Sequence, residues 1–342
     1  MKTSRNWKFD YIKGIACLIV ICLHCPFYGP VGDAIIYGCR FSVPLFFMIT
    51  GYYCESKSNE WILRKTKELI VKTLIAEALY GIWKLFLALV FDKLSFSEFV
   101  MNMGIVRNPL KTLFFGSMFN GVFWYLYAAI WAYLLILLLR KTKLIYKNTF
   151  CIILIGVLVC VLVIGRFFAQ NLWDEAFLAE WAGLFCNALV FGLPMLLTGM
   201  LFSRYEEKIT ASLSIKKNLL ILAIGLAVMV EEFLLSGQYM DFHFSTYIIS
   251  SAIFLFAFTY KKDRIVLKKP LAFTGQRLSL WIYLDHMFVS SLMVTIYICL
   301  DIADKQITVL VHPIIVILLS LFMAWVIDRV KSKRMKAKVR AV

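Results

Sequence analysis

The sequence predicts an all-α, polytopic membrane protein with about ten transmembrane helices and both termini in the cytoplasm. Three observations lead there. Hydrophobic residues make up 61% of the 342-residue chain and charged residues only 17%, against about 25% charged in soluble domains. The apolar residues fall into blocks near the roughly 20 residues that span a bilayer core as helix: 9–28, 34–54, 69–91, 121–139, 149–168, 181–203, 217–236, 244–260, 278–298 and 307–328. The basic residues also favour alternate connections. Segments 2–8, 57–72, 140–147, 204–217, 261–277 and 329–340 carry 29 Lys and Arg, whereas the opposite connections carry five. That asymmetry follows the positive-inside rule and puts the basic side in the cytoplasm.

These features bound the function classes. The net charge of +16 suggests nucleic acid at first sight, but its placement reads as topology and contact with anionic membrane lipids, so no nucleic-acid partner is expected. The chain reads as one membrane domain over 1–342, ending in a basic cytoplasmic tail at 329–342, in the plasma membrane. The first span carries Lys13 and is followed by no small-residue cleavage pattern, so it reads as a retained helix rather than a signal peptide. The nine cysteines are odd in number and show no metal-ligand spacing, so no metal is expected. Most lie inside spans, where cysteine acts as a small apolar packer; His24-Cys25 also admits a nucleophilic reading.

Ionisable groups inside spans are functional hypotheses by default. Lys13 and His24 stand eleven positions apart in the first span. Eleven residues make three helical turns plus roughly 20°, so both side chains share a stripe about 16 Å long, and Asp10 and Cys17 lie on it too. Arg40 falls about two turns into the second span, at the depth of His24. Glu231 and Glu232 close the seventh span at similar depth, and Asp285 and His286 sit in the ninth. An imidazole titrates near neutrality and suits general acid–base work. A guanidinium stays charged and can hold an oxyanion. Each group has a structural alternative: a hydrogen bond between helices for His24, helix packing for His286, pairing of Arg40 with Glu231 or Glu232, and pairing of Lys13 with Asp10. His243 and His312 fall at the outer surface and receive no role.

Two further patterns concern shape. Pro44 and Gly51 in one span predict a bend or a close helix contact. Phe123-Trp124-Tyr125-Leu126 opens the fourth span, where interfacial aromatic belts collect. The half-apolar connection 92–120 has room for interfacial or re-entrant pieces over an outer cavity.

The order of these motifs resembles the membrane acyltransferase 3 family. Phe9-Asp10-Tyr11-Ile12-Lys13-Gly14-Ile15-Ala16 followed by His24 looks like its opening, in which a basic residue precedes a histidine by ten intervening positions. Phe46-Phe47-Met48-Ile49-Thr50-Gly51 is similar to its Phe-Phe-x-x-Ser-Gly segment, and Trp124-Tyr125-Leu126 to its Trp-Tyr-Leu motif. Gly275 through Ser279-Leu280-Trp281-Ile282-Tyr283-Leu284-Asp285-His286 resembles its late Gly…Ser-Leu-x-x-Tyr-Leu-x-His segment. The resemblance implies transfer of an acyl group, often acetyl, from cytoplasmic acyl-CoA to a hydroxyl acceptor, commonly on an envelope or secreted glycan.

On that basis His24 and Arg40 are the expected catalytic residues, and Lys13 and Asp10 are expected at the coenzyme. Glu231, Glu232, Trp124, Tyr125 and His286 are expected toward the acceptor. Three departures stand out: Lys13 replaces the family's usual arginine and loses its bidentate fork, Thr50 replaces serine, and Val122 replaces a frequent histidine. The chain also resembles the membrane half of vancomycin-resistance serine racemases, through Arg40, Ser279-Leu280-Trp281 and the acidic seventh span. The alternative expectation is therefore a transporter for a serine-like amino acid.

Overall fold

The computed structural model describes residues 6–116, 118–172, 187–236, 244–261 and 265–340, and every regular element among them is helical. In chain order these are α1 (Trp7–His24), α2 (Pro30–Gly38), α3 (Ser42–Glu55), α4 (Asn59–Val90), the short α5 (Phe96–Asn102), α6 (Gly104–Arg107) and α7 (Pro109–Phe115), α8 (Trp124–Lys141) and α9 (Asn148–Leu172). A π turn at Ala188–Gly192 leads into α10 (Leu193–Arg204), followed by α11 (Glu206–Ser212), α12 (Ile215–Ser236) and α13 (Phe244–Thr259). Then come α14 (Lys268–Phe273), a second π turn at Thr274–Leu278, α15 (Ser279–Cys299) and α16 (Gln306–Arg340).

Among the described residues, six segments are long and apolar enough to cross a membrane: Pro30–Glu55, Asn59–Val90, Gly121–Lys141, Asn148–Gly165, Lys268–Cys299 and Gln306–Lys333. The pair Ala188–Arg204 and Glu206–Ser212, bent by 73°, raises the number to seven if it is one span. The segments expected at 9–28, 217–236 and 244–260 are helices as well. However, α1 carries Lys8, Asp10 and Lys13, α12 carries charge at both ends, and α13 has only 16 residues. A count of ten therefore exceeds what length and apolarity establish. Three expected connections are helical too. The basic stretch 57–72 forms the first turns of α4, started by the Ser58 hydroxyl accepting the Trp61 N–H. Residues 268–278 extend the ninth span backward, and the tail from 329 to 340 continues α16. Lys and Arg are good helix formers, so charge alone does not end a helix.

By contact density the chain divides into two compact units, Met1–Phe46 with Ser212–Asp241 and Ser245–Val342, and Phe47–Ala211 with Phe242–Phe244. In the second unit, α4 has the polarity of a membrane helix. Its buried positions include Thr66, Thr73, Glu77 and Tyr80, while Leu74, Ile75, Leu79 and Ile82 face outward. Polar groups turn inward because lipid offers them no hydrogen bonds. The α3 and α10 backbones touch where Gly51 and Gly199 lack side chains: a methyl at Gly51 would collide with the Leu196 carbonyl, and one at Gly199 with the Met48 carbonyl. Beyond that crossing, Arg204 grips Glu55 through two hydrogen bonds of 2.7 and 3.1 Å, and Tyr52 donates to Glu206 at 2.7 Å. Buried Arg140 donates to the Cys54 and Lys57 carbonyls, joining the end of α3 to the start of α4. The expected bend in the second span is a break at Cys39–Phe41, closed by Ser42 Oγ donating to the Cys39 carbonyl at 2.9 Å. Pro44 falls in the first turn of α3, where its missing N–H costs nothing.

In the first unit, α1 lies against α14 and the second π turn, and α15 against α16. Phe9 stacks with Phe254 and Phe258 of α13 at 4.7 and 5.8 Å. Ile21, Ile282, Val289 and Val316 form the apolar core between α1, α15 and α16.

Replacing Gly51 with alanine is expected to destabilise the protein by about 1–3 kcal/mol through overpacking against rigid backbone. Gly156→Ala, where a methyl meets nothing within 4 Å, is expected to be neutral or to stabilise by about 0.5–1 kcal/mol. Thermal unfolding in detergent checks both, and equal melting temperatures for the two variants would refute the contact.

Candidate functional site

The expected site residues of the first and ninth spans come together in the first unit. α1 and the π turn approach backbone to backbone, since a methyl at Gly275 would strike the Asp10 carbonyl and one at Gly14 the Leu271 carbonyl. Such contact between small residues holds membrane helices together where lipid removes the hydrophobic drive. It also sets the register of the facing side chains. Asp10 is buried and Lys13 half-buried beside this contact. One turn further, the Cys17 thiol bonds the Gly14 carbonyl at 3.2 Å and lies within electrostatic reach of both Lys13 and Asp285. At the end of α1 the rings of His24 and His286 stand 5.6 Å apart, tilted by 38°.

The two imidazoles are not equivalent. His24 is exposed, whereas His286 has no exposed surface. His286 Nδ1 lies 3.0 Å from the Ile282 carbonyl and 2.9 Å from that of Tyr283. Carbonyls only accept, so Nδ1 carries the proton, and in the neutral ring Nε2 is a bare acceptor. That Nε2 is buried and has no protein partner. It is ready to receive a hydroxyl or an N–H.

Polar groups continue along the same seam. One turn beyond His286, Ser290 Oγ and His312 Nε2 are 3.1 Å apart, and the Tyr297 ring meets His312 edge-on at 5.7 Å. His312 is half-buried between α15 and α16. Cys25 is buried with its thiol beside Ser290, so it is a packing residue and not a partner for His24. In the other direction, Asp285 is 7% exposed, and its carboxyl lies beside the fully buried Ser320 hydroxyl of α16. Further along, Arg277 pairs with Asp328 at 3.0 Å. Lys268 lies 3.9 Å from the Trp7 ring, and Lys331 caps Trp281. One end of the seam is therefore basic and aromatic.

The remaining expected residues lie elsewhere. Arg40 is half-buried on the break between α2 and α3, not inside a continuous helix. Glu231 is exposed, and Glu232 accepts the Ser245 N–H at 3.2 Å at the start of α13, a favoured place for a carboxylate at a helix N-terminus. Nearby, Tyr37 OH donates to the Met229 carbonyl. His243 lies outside the described residues. Trp124 and Tyr125 belong to the second unit, where they pack edge-on against Phe191 at 5.3 Å and Phe47 at 4.8 Å. Both rings are half-buried, and their partners Phe191 and Phe47 belong to the core. The connection 92–120 holds the three short helices α5–α7.

One intramembrane acid escaped the sequence reading. Glu77 of α4 is 2% exposed and accepts the Met118 and Phe119 N–H groups at 3.0 and 3.1 Å and the Tyr127 hydroxyl at 3.1 Å. It ties the segment before Trp124 to α4. Its position mid-span was the available signal.

Nitrogen NMR of ring-labelled His286 is expected to show protonated Nδ1 and bare Nε2; a protonated Nε2 alone would overturn the assignment. Glu77→Leu strands three donors and is expected to cost about 2–4 kcal/mol of stability, read as a lower melting temperature, with Glu77→Gln milder because it keeps one acceptor.

A family model for the acyltransferase domain of acyltransferase family 3 matches residues 6–329, running through both units. No curated protein and no solved structure matches the chain.

Proposed function

The chain belongs to acyltransferase family 3, and from that premise we propose that it moves an acyl group, acetyl in the simplest case, from cytoplasmic acyl-CoA to a hydroxyl of an envelope or secreted glycan. Family membership and the apolar helices make it a membrane acyltransferase; donor, acceptor and chemistry are the proposal. In this reading all ten apolar segments cross the plasma membrane as one domain, with both termini and the basic end of the seam in the cytoplasm. The observation that carries it is the pair of imidazoles 5.6 Å apart on a polar seam whose other end is cationic.

His24, the exposed ring, takes the proton of the acceptor hydroxyl as its oxygen bonds to the thioester carbonyl carbon. The oxyanion that forms collapses, the carbon–sulfur bond breaks, and the thiolate recovers the proton from the imidazolium. His286 Nε2, fixed as an acceptor, receives a hydrogen bond from a neighbouring hydroxyl of the glycan and orients it. Arg40 steadies the oxyanion, and Lys13 with Asp10 receives the polar part of the coenzyme. The packing of Trp124 and Tyr125 and the bond from Ser245 to Glu232 favour structural roles for those three. The serine-transporter alternative loses support with Glu232, which already holds the start of α13.

Purified protein in liposomes, given radiolabelled acetyl-CoA and total envelope glycan, is expected to label the glycan. His24→Ala is expected to lower transfer by about 10²–10⁴-fold, the usual worth of a general base. Undiminished transfer by that variant would discard the mechanism, and serine uptake without coenzyme would favour the transporter.

A further inference from the structure

The connection from α4 to α8 exposes more apolar surface than water tolerates. Phe96 and Met101 of α5 and Leu110 of α7 are 63, 64 and 67% exposed. Leu110, Leu113 and Phe114 stand at i, i+3 and i+4, so they form one exposed stripe along α7. Apolar surface of this kind marks contact with a protein or a membrane. The route of the chain decides between them. Met118 and Phe119 donate to Glu77, which lies 13 residues (77 to 90), roughly 20 Å, before the end of α4 at Val90. The chain that leaves α4 at Val90 therefore turns back alongside it. The stretch of α4 that it passes exposes Leu79, Ile82, Phe86 and Leu89, within a segment long and apolar enough to cross a membrane. At the other end, Trp131 Nε1–H donates to the Leu113 carbonyl at 3.0 Å and its ring stacks on Phe114 at 4.9 Å, so α7 lies against the first two turns of α8.

We propose that α5–α7 are seated in the bilayer, with their apolar side chains among the acyl chains of phospholipids and the exposed Arg107 and Lys93 reaching the phosphates. The patch is bordered by two spanning segments, since α5 packs on α4 and α7 on α8, so lipid that bathes those segments reaches it as well. Its chemistry is that of an interfacial amphipathic element, apolar on one side with basic side chains at the edge. Glu98, the acid of α5, is engaged in a capping box with Ser95, and a long Arg or Lys stem can lie along apolar surface while its head stays in water. The backbone agrees. Non-helical backbone at membrane depth needs protein partners, and Glu77 supplies them to the N–H groups of Met118 and Phe119. Gly116 makes the turn into α8 at φ +94, where a methyl would strike the Trp124 backbone. The element is thus fixed to α4 and α8 at a set depth. Its seat in the bilayer is independent of the acyl-transfer reading.

The test irradiates the full-length protein in vesicles of phosphatidylcholine and phosphatidylglycerol that contain a phosphatidylcholine with a diazirine midway along one acyl chain. Mass spectrometry of the digest is expected to find lipid adducts in 94–114 at a yield within about threefold of that in 78–90 of α4. A water-soluble diazirine is expected to spare both stretches. Leu110→Asp puts a carboxylate into the stripe and is expected to lower lipid labelling of 94–114 by about three- to tenfold, because a charge among acyl chains is unfavourable, with 78–90 unchanged. If that variant fails to fold, the wild-type pattern carries the test. Lipid adducts in 78–90 alone, with 94–114 taken by the water-soluble reagent, would overturn the proposal. Crosslinks from 94–114 to a second protein chain in place of lipid adducts would overturn it too, and acyl transfer stands or falls separately.

Discussion

The contact between Gly14 and Gly275 governs the chemistry of the first unit. Two backbones meet without a side chain between them, so α1 and the helix that begins at the π turn are locked in one register. Everything along the seam follows from that register: Cys17 reaches the neighbourhood of Asp285, and the His24 ring reaches that of His286. Lipid supplies no force to push apolar helices together, so close packing of small residues has to do it. The glycines of the family-like segments are thus explained by sterics. Gly51, with Gly199, does the same between α3 and α10.

Buried acids in this protein meet different ends. Glu77 is fully engaged by two backbone N–H groups and a phenol, which makes it a fastener. Glu232 closes the start of a helix. Asp285, nearly as buried as Glu77, has the Ser320 hydroxyl of α16 beside it and no such set of three donors. Burial alone does not separate scaffold from site; the state of the hydrogen-bonding capacity does.

Much of this was legible in the sequence. The all-helical membrane class followed from block lengths and charge, and the stripe joining Asp10, Lys13, Cys17 and His24 followed from helical periodicity alone. The meeting of the first and ninth spans was not, since periodicity reports depth and facing but never which helix lies alongside. The break that carries Arg40 is not legible, because composition does not reveal a turn that a serine side chain closes. The packing of Trp124 and Tyr125 against Phe191 and Phe47 is not legible either, because aromatic rings suit a membrane boundary and a packed core equally well. The inequality of the two imidazoles could not be read at all: it depends on which carbonyls the His286 ring meets.

The π turn at Thr274–Leu278 has a consequence for how sequences of this kind can change. A π turn holds one residue more than an α-helical turn would, so the helix after it is rotated by about 100° relative to an uninterrupted one. α14 can therefore present its backbone to α1 while α15 turns its polar stripe toward the same partner. Loss of a single codon within this turn would swing Asp285 and His286 away from the seam with no change in either side chain. The spacing between Gly275 and His286 is thus as much a part of the site as the residues themselves.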